Sequence, residues 1–194
     1  RANSIDSVLV ATDDNRIADV VTKFGGNVCL TRSDHLSGSD RLAEVAESLT
    51  CDVIVNVQGD EPLLNPLLID AVLGRLLIDP SAHIATARCA ITDQSEFNNP
   101  HVVKVVVNSA DHALYFSRSP IPHQQNGTTP SDNILGFKHI GLYAYRRSIL
   151  LELGKLSPTT LEQTEQLEQL RALQYGYRIT TVETDDNPIG VDTA

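Results

Sequence analysis

An α/β fold, doubly wound on a mostly parallel sheet and extended by an added antiparallel region, is what this sequence predicts. Three observations lead there. Strand-length apolar runs alternate with helix-period segments over the first eighty residues. That alternation implies right-handed crossovers and parallel pairing. Beyond residue 80, strand-like runs follow one another closely. The 194 residues are 41% apolar, enough for a buried core, and we read residues 1–194 as one domain.

Each element has its own justification. Residues 8–11 are an apolar strand. Asp13 or Asp14 then caps a helix with Ile17, Val20, Val21 and Phe24 on one face. Gly25 and Gly26 end it. Residues 27–30 form a short strand, and Ser37 or Ser39 starts a helix with Leu42, Val45, Ala46 and Leu49 inward. A central strand covers 53–57. Asn65-Pro66 opens a third helix, whose apolar face is Ile69, Val72, Leu73 and Leu76. Strands follow at 84–89, 102–107, 113–117 and 140–145. Residues 120–131 are a loop rich in Pro, Gln, Asn, Gly and Thr. A polar helix from Ser157-Pro158 to about Tyr175 and a strand over 178–183 complete the pattern.

Composition excludes several classes. The net charge of −10 argues against nucleic acid or an anionic membrane as partner. No run approaches the ~18 apolar residues of a membrane span. The start shows no signal region, so a cytoplasmic protein is expected. Cys29, Cys51 and Cys89 are widely spaced and read as reduced thiols. Met is absent, the first strand comes almost at once, and no element closes the chain, so we expect an internal piece of a longer protein.

Five segments could carry chemistry. The strand ending Asn56-Val57-Gln58-Gly59-Asp60-Glu61 delivers a carboxylate where ligands bind in open α/β sheets, a candidate Mg²⁺ position. Taken alone, the run also reads as a buried strand followed by a solvated acidic turn. Asp192, in Gly190-Val191-Asp192-Thr193, could share the ion if the two strands are neighbours. The run Thr31 to Arg41 sets Arg32, Ser37 and Arg41 around a helix start, which suits an anion or serves only as a cap. Arg41 in a first turn asks for a partner. Alternation puts His139, Gly141, Tyr143 and Tyr145 on one strand face, with Arg118 nearby; such a row suits a sugar acid or faces water. Glu165 and Glu168 share a helix face, with Glu168 placed to pair with Arg171.

Taken together, seven stretches resemble the 3-deoxy-manno-octulosonate cytidylyltransferase (CMP-Kdo synthetase) family in order and spacing. They are Val55 to Pro62, Ser37 to Glu44, Asn99 to Val105, Ala113 to Arg118, His139 to Arg146, Leu167 to Arg171 and Gly190 to Thr193. The resemblance implies a nucleotide-diphospho-sugar transferase type of fold, usually a homodimer in the bacterial cytosol. It implies that CTP and Kdo, an acidic eight-carbon sugar, give CMP-Kdo and pyrophosphate for lipopolysaccharide synthesis. Asp60 and Asp192 would be catalytic and bind Mg²⁺. Gln58, Arg118, His139, Tyr143, Glu168 and Gln169 would line the sugar site, and Thr31, Arg32, Ser37 and Arg41 the nucleotide site. Another acidic sugar, 8-amino-Kdo or a sialic acid, is the alternative among enzymes; a sugar-nucleotide binding module is the alternative outside them. The family's N-terminal strand and basic phosphate loop, Pro-Ala-Arg…Ser-Thr-Arg-Leu-Pro-Gly-Lys-Pro-Leu, are not in this sequence, nor is its helix after Asp192. Ser39-Asp40 stands where the family usually has Thr-Glu, and Lys138 where an Arg often precedes the His.

Overall fold

In a computed structural model the described residues are 2–35, 37–59, 61, 63–125 and 133–187. Asp60 and Asp192 therefore lie outside them, as do residues 126–131 of the 120–131 segment. The described elements run β1 (Leu9–Thr12), α1 (Asn15–Lys23), β2 (Asn27–Leu30), α2 (Gly38–Ser48), β3 (Val53–Asn56) and α3 (Pro66–Ile78). Then come β4 (Ile84–Ile91), α4 (Gln94–Asn98), β5 (Lys104–Val107), β6 (Ala113–Ser117) and β7 (Gly136–Arg146). The last are α5 (Arg147–Leu153), α6 (Thr160–Glu165), α7 (Gln169–Gln174) and β8 (Ile179–Glu183).

The α/β class holds, and the sheet is mixed. β1 and β2 pair in parallel as a two-stranded sheet. The larger sheet runs β6-β5-β7-β4-β8, and β3 also pairs with β7. Only β4 and β8 are parallel there; β7 is antiparallel to β3, β4 and β5. The antiparallel region foreseen beyond residue 80 thus reaches back to β3. Helices cover both faces. Val72 and Leu76 of α3 pack with Ala85, Ala87, Leu142 and Ala144 on one side. Ala46 of α2, Leu150 of α5 and Leu170 of α7 pack with Ile84, Phe116, Tyr143 and Tyr145 on the other. A fully buried Leu or Val stabilises such a core by about 1.5–3 kcal/mol.

The caps follow the expected chemistry. Asp14, Ser37 and Asn65 accept backbone N–H groups at the starts of α1, α2 and α3, and Pro66 fills the first turn of α3. Gly25 takes φ +79° just beyond α1, a left-handed position that a side chain would strain.

Four details differ from the sequence expectation. α4 and α5 are short helices hidden by stronger strand patterns beside them. The single helix expected over 157–175 is two, because Gln166 turns left-handed at φ +54° between α6 and α7. β7 starts four residues earlier than expected. Of the α1 face, Val21 is buried but Ile17, Val20 and Phe24 are exposed, because among the described elements α1 meets chiefly the narrow β1–β2 pair.

Candidate functional site

β3 and β5 share one edge of β7 and leave a gap between them. β3 pairs as far as Tyr143, and β5 joins at Lys138. Opposite the gap, β7 and β4 slip by two residues between Thr86 and Ala87. A gap where strands diverge opens the sheet to a ligand, the logic of a switch point in open α/β sheets. Gln58 lies just past the carboxyl end of β3, over Gly141; a Cβ on Gly141 would stand 3.8 Å from the Gln58 Cγ.

The predicted row on β7 is real. The His139 and Tyr143 rings lie 5.2 Å apart, Tyr143 stacks on Tyr145 at 5.7 Å, and Phe116 of β6 meets His139 edge-on at 4.9 Å. The row is largely buried, not turned to water: Tyr143 and Tyr145 belong to the core, and His139 is partly covered. Burial pushes the His139 imidazole down to about 3, so the ring is neutral near pH 7. It pushes the Tyr143 phenol well up, with Tyr145 and the Glu168 charge adding to the effect. A pocket beside this row is lined by Ser39, Tyr143, Tyr145, Glu168, Gln169 and Arg171, among others.

Glu168 joins the two halves of the site. Its carboxylate accepts from the Gly38 N–H at 3.1 Å, the Ser39 N–H at 3.0 Å and the Ser39 hydroxyl at 2.6 Å. A carboxylate at a helix start is favoured by the unpaired N–H groups and the dipole. The expected Glu168–Arg171 pair does not form. Arg171 forks instead onto Glu162 at 2.6 and 2.9 Å and reaches Asp40 at 3.2 Å. This buried arrangement ties α2, α6 and α7 together.

Arg118 sits at the end of β6. Its guanidinium donates to the carbonyls of Glu165 at 2.8 Å, Pro100 at 3.2 Å and Gln166 at 3.3 Å. Its backbone N–H and the Ser117 hydroxyl donate to the Glu165 carboxylate. Fully buried Lys104 donates to the carbonyls of Asn99, Val102 and Arg118. Sequence reading missed Lys104, Glu165 and Thr86 as supports of the site. A Lys inside Val-Val-Lys-Val-Val-Val and a Thr inside Ile-Ala-Thr-Ala were the available signals, since a polar residue in an apolar strand must find partners.

The second group lies at the mouth of β2 and the start of α2. Arg41 donates to the Thr31 hydroxyl and pairs with Asp13 at 3.2 Å, which answers its place in a first turn. Ser37 serves as the cap of α2, accepting from Asp40 N–H at 3.1 Å. Arg32 is well exposed and pairs loosely with Asp34 and Glu44 at 3.6 and 3.5 Å. His35 also bonds Glu44. The structure thus brings together Gln58, His139, Tyr143, Glu168 and Gln169, with Arg118 held to the α6–α7 junction two residues before Glu168. It joins Thr31 to Arg41 and sets Ser37 at the helix start that Glu168 binds. Among the described residues, no three His, Cys, Asp or Glu side chains could together hold a metal.

The cytidylyltransferase family matches residues 1–179. A 3-deoxy-manno-octulosonate cytidylyltransferase of Pelobacter propionicus is 50% identical across all of this chain and 78% of its own length. The chain belongs to the 3-deoxy-manno-octulosonate cytidylyltransferase family. The Geobacter sulfurreducens relative of the same name is 48% identical over all of this chain and 80% of its own. Among solved structures, CMP:2-keto-3-deoxy-manno-octonic acid synthetase complexed with CTP superposes with a TM-score of 0.92 at 42% identity. It is matched by all of this chain over 78% of its own length. For a cytidylyltransferase of this family, no described helix is long and apolar enough to cross a membrane.

Proposed function

We propose that this cytidylyltransferase couples CTP to 3-deoxy-manno-octulosonate and releases pyrophosphate. The observation that carries the reading is the full-chain likeness, at 42% identity and a TM-score of 0.92, to a synthetase of that product complexed with CTP. In the reaction the anomeric oxygen of the sugar forms a bond to the α-phosphorus, the bond from that phosphorus to the β-phosphate oxygen breaks, and the hydroxyl proton passes to solvent. Such a transfer asks the protein for positioning and charge neutralisation, not for a covalent intermediate.

The residues divide the task by chemistry. Arg118 keeps guanidinium N–H donors beyond its three carbonyl bonds, and these suit the sugar carboxylate. Gln58, His139 and Tyr143 take hydroxyls, and Glu168 with Gln169 closes that side. Thr31, Arg32, Ser37 and Arg41 would take the nucleotide side, where exposed Arg32, only loosely paired, offers a cation to phosphate. Asp60 and Asp192 would hold a Mg²⁺ ion, whose hard-oxygen preference their carboxylates meet. Bound there, the ion supplies charge neutralisation at the phosphates and acidity at the attacking hydroxyl. The same reading carries a cytoplasmic homodimer, which light scattering of the full-length protein checks.

The deciding experiment is pyrophosphate release by the full-length protein with CTP and Mg²⁺, given Kdo, N-acetylneuraminate or no sugar. Release with Kdo alone is expected. Release with N-acetylneuraminate in its place would overturn the sugar assignment, and no release from a folded protein would overturn the reaction.

A further inference from the structure

Thr86 is fully buried in β4, and its hydroxyl stands at the two-residue slip against β7. Three groups surround the Oγ: the Leu142 carbonyl at 2.7 Å, the Ile140 carbonyl at 3.1 Å and the His139 Nε2 at 2.9 Å. A hydroxyl has one proton to give. Carbonyl oxygens only accept, so that proton goes to a carbonyl, and Leu142 is the nearer. The Oγ can then only accept from Nε2, which must carry a proton. We propose that Thr86 is a positioning residue that holds His139 as the Nε2–H tautomer, leaving Nδ1 to accept a hydrogen bond from a sugar hydroxyl.

The surroundings agree. His139 is partly covered, with Phe116 edge-on and Tyr143 beside it, so its ring is oriented by packing. Its backbone N–H is anchored on the Val103 carbonyl at 2.8 Å. Among the described residues, Nδ1 has no hydrogen-bond partner. The ring is neutral near pH 7 because it is buried, so no second proton interferes. The consequence is selective. An acceptor nitrogen welcomes an O–H donor and rejects an ionised carboxylate, which has no proton to offer. His139 is thereby reserved for a hydroxyl, and the acid group of the sugar is left to Arg118. The opposite tautomer would reverse that preference.

The assignment rests on His139 facing the sugar, as proposed above, but its first test does not need turnover. In the uniformly ¹⁵N-labelled full-length protein, long-range ¹H–¹⁵N correlations read the tautomer of His139, assigned by its loss in His139→Gln. Wild type is expected to show a protonated Nε2 and a bare Nδ1; a protonated Nδ1 would overturn the proposal. Thr86→Ser keeps the hydroxyl and should keep the tautomer, whereas Thr86→Val should yield a mixed or reversed one. An unchanged tautomer in folded Thr86→Val would overturn the proposal. In turnover, Thr86→Val should raise the sugar KM about fivefold, leave the CTP KM in place, and be rescued by serine. A rise in both KM values, or no rescue by serine, would also overturn it. Failure of the full-length wild type to use any sugar would sink the reaction assignment instead, leaving the tautomer to be judged by its spectrum.

Discussion

Single side chains decide most of this site, and their partners say how. His139 is a half-buried histidine that is also a candidate ligand group. Its folded-state pKa of about 3 lies below the ~6.5 of an exposed imidazole. The unfolded chain therefore binds the proton more readily. The stabilisation is complete above about pH 6.5 and fades as pH falls toward 3. Urea unfolding at pH 7.5 and pH 5 should differ by up to about 2 kcal/mol from this residue. His83, also lowered by burial, acts in the same direction. In His139→Gln the difference should shrink. Lys104 supports a different argument. Replacing it with Met takes away the donor shared by three partly covered carbonyls, at a cost of about 1–3 kcal/mol by chemical denaturation. Asp60→Asn or Asp192→Asn should abolish turnover with the circular dichroism unchanged; near-normal activity in either would remove it from the metal site. At this scale the sequence was partly legible. The His-x-Gly-x-Tyr row, Gln58 and Glu168 announced themselves by alternation and motif. Their supports did not, because Thr86 and Lys104 matter through partners brought from other strands.

At the scale of elements, legibility followed the strength of local signals. The caps Asp14, Ser37 and Asn65 and the Pro at the start of α3 lie where side-chain chemistry places them. The break at Gln166 was invisible, since neither Gly nor Pro marks it, and tertiary ties hold it: Arg118 takes its carbonyl, and Arg171 draws α7 onto Glu162. The antiparallel pairing of β3 was equally hidden, because apolar runs do not name their neighbours. The contact of α2 with α5 leaves no slack. A Cβ on Gly154 would stand 2.7 Å from the Ala43 Cβ, a stiff neighbour on the helix that opens with Ser37. Gly154→Ala should therefore cost about 1–3 kcal/mol and displace α2, lowering the melting temperature and raising the CTP KM together. Ser37→Ala removes the cap of α2 and should cost about 1 kcal/mol of stability.

The whole molecule sets charge against its ligands. A chain of net charge −10 that is to bind a triphosphate and a sugar acid, as proposed, needs local cations to bring them in. Most described arginines near the site are already matched: Arg171 by Glu162 and Asp40, Arg41 by Asp13, Arg32 by Asp34 and Glu44. Divalent metal should accordingly weigh heavily in turnover. Chelation should stop pyrophosphate release, Mg²⁺ should restore it, and monovalent salt at equal ionic strength should not.

The strand pairings also set two clocks running in the same fold. β1 and β2 share backbone hydrogen bonds only with each other among the described strands, whereas β7 is bonded along both edges. An isolated pair of strands opens at little cost, and a strand locked from two sides opens only when the sheet does. Placed in heavy water, the amides of Val10 and Val28 should take up deuterium long before those of Ala144 and Tyr145, which are paired with β3 on one side and β4 on the other. One end of the molecule would then breathe while the strand beneath the proposed sugar pocket stays shut.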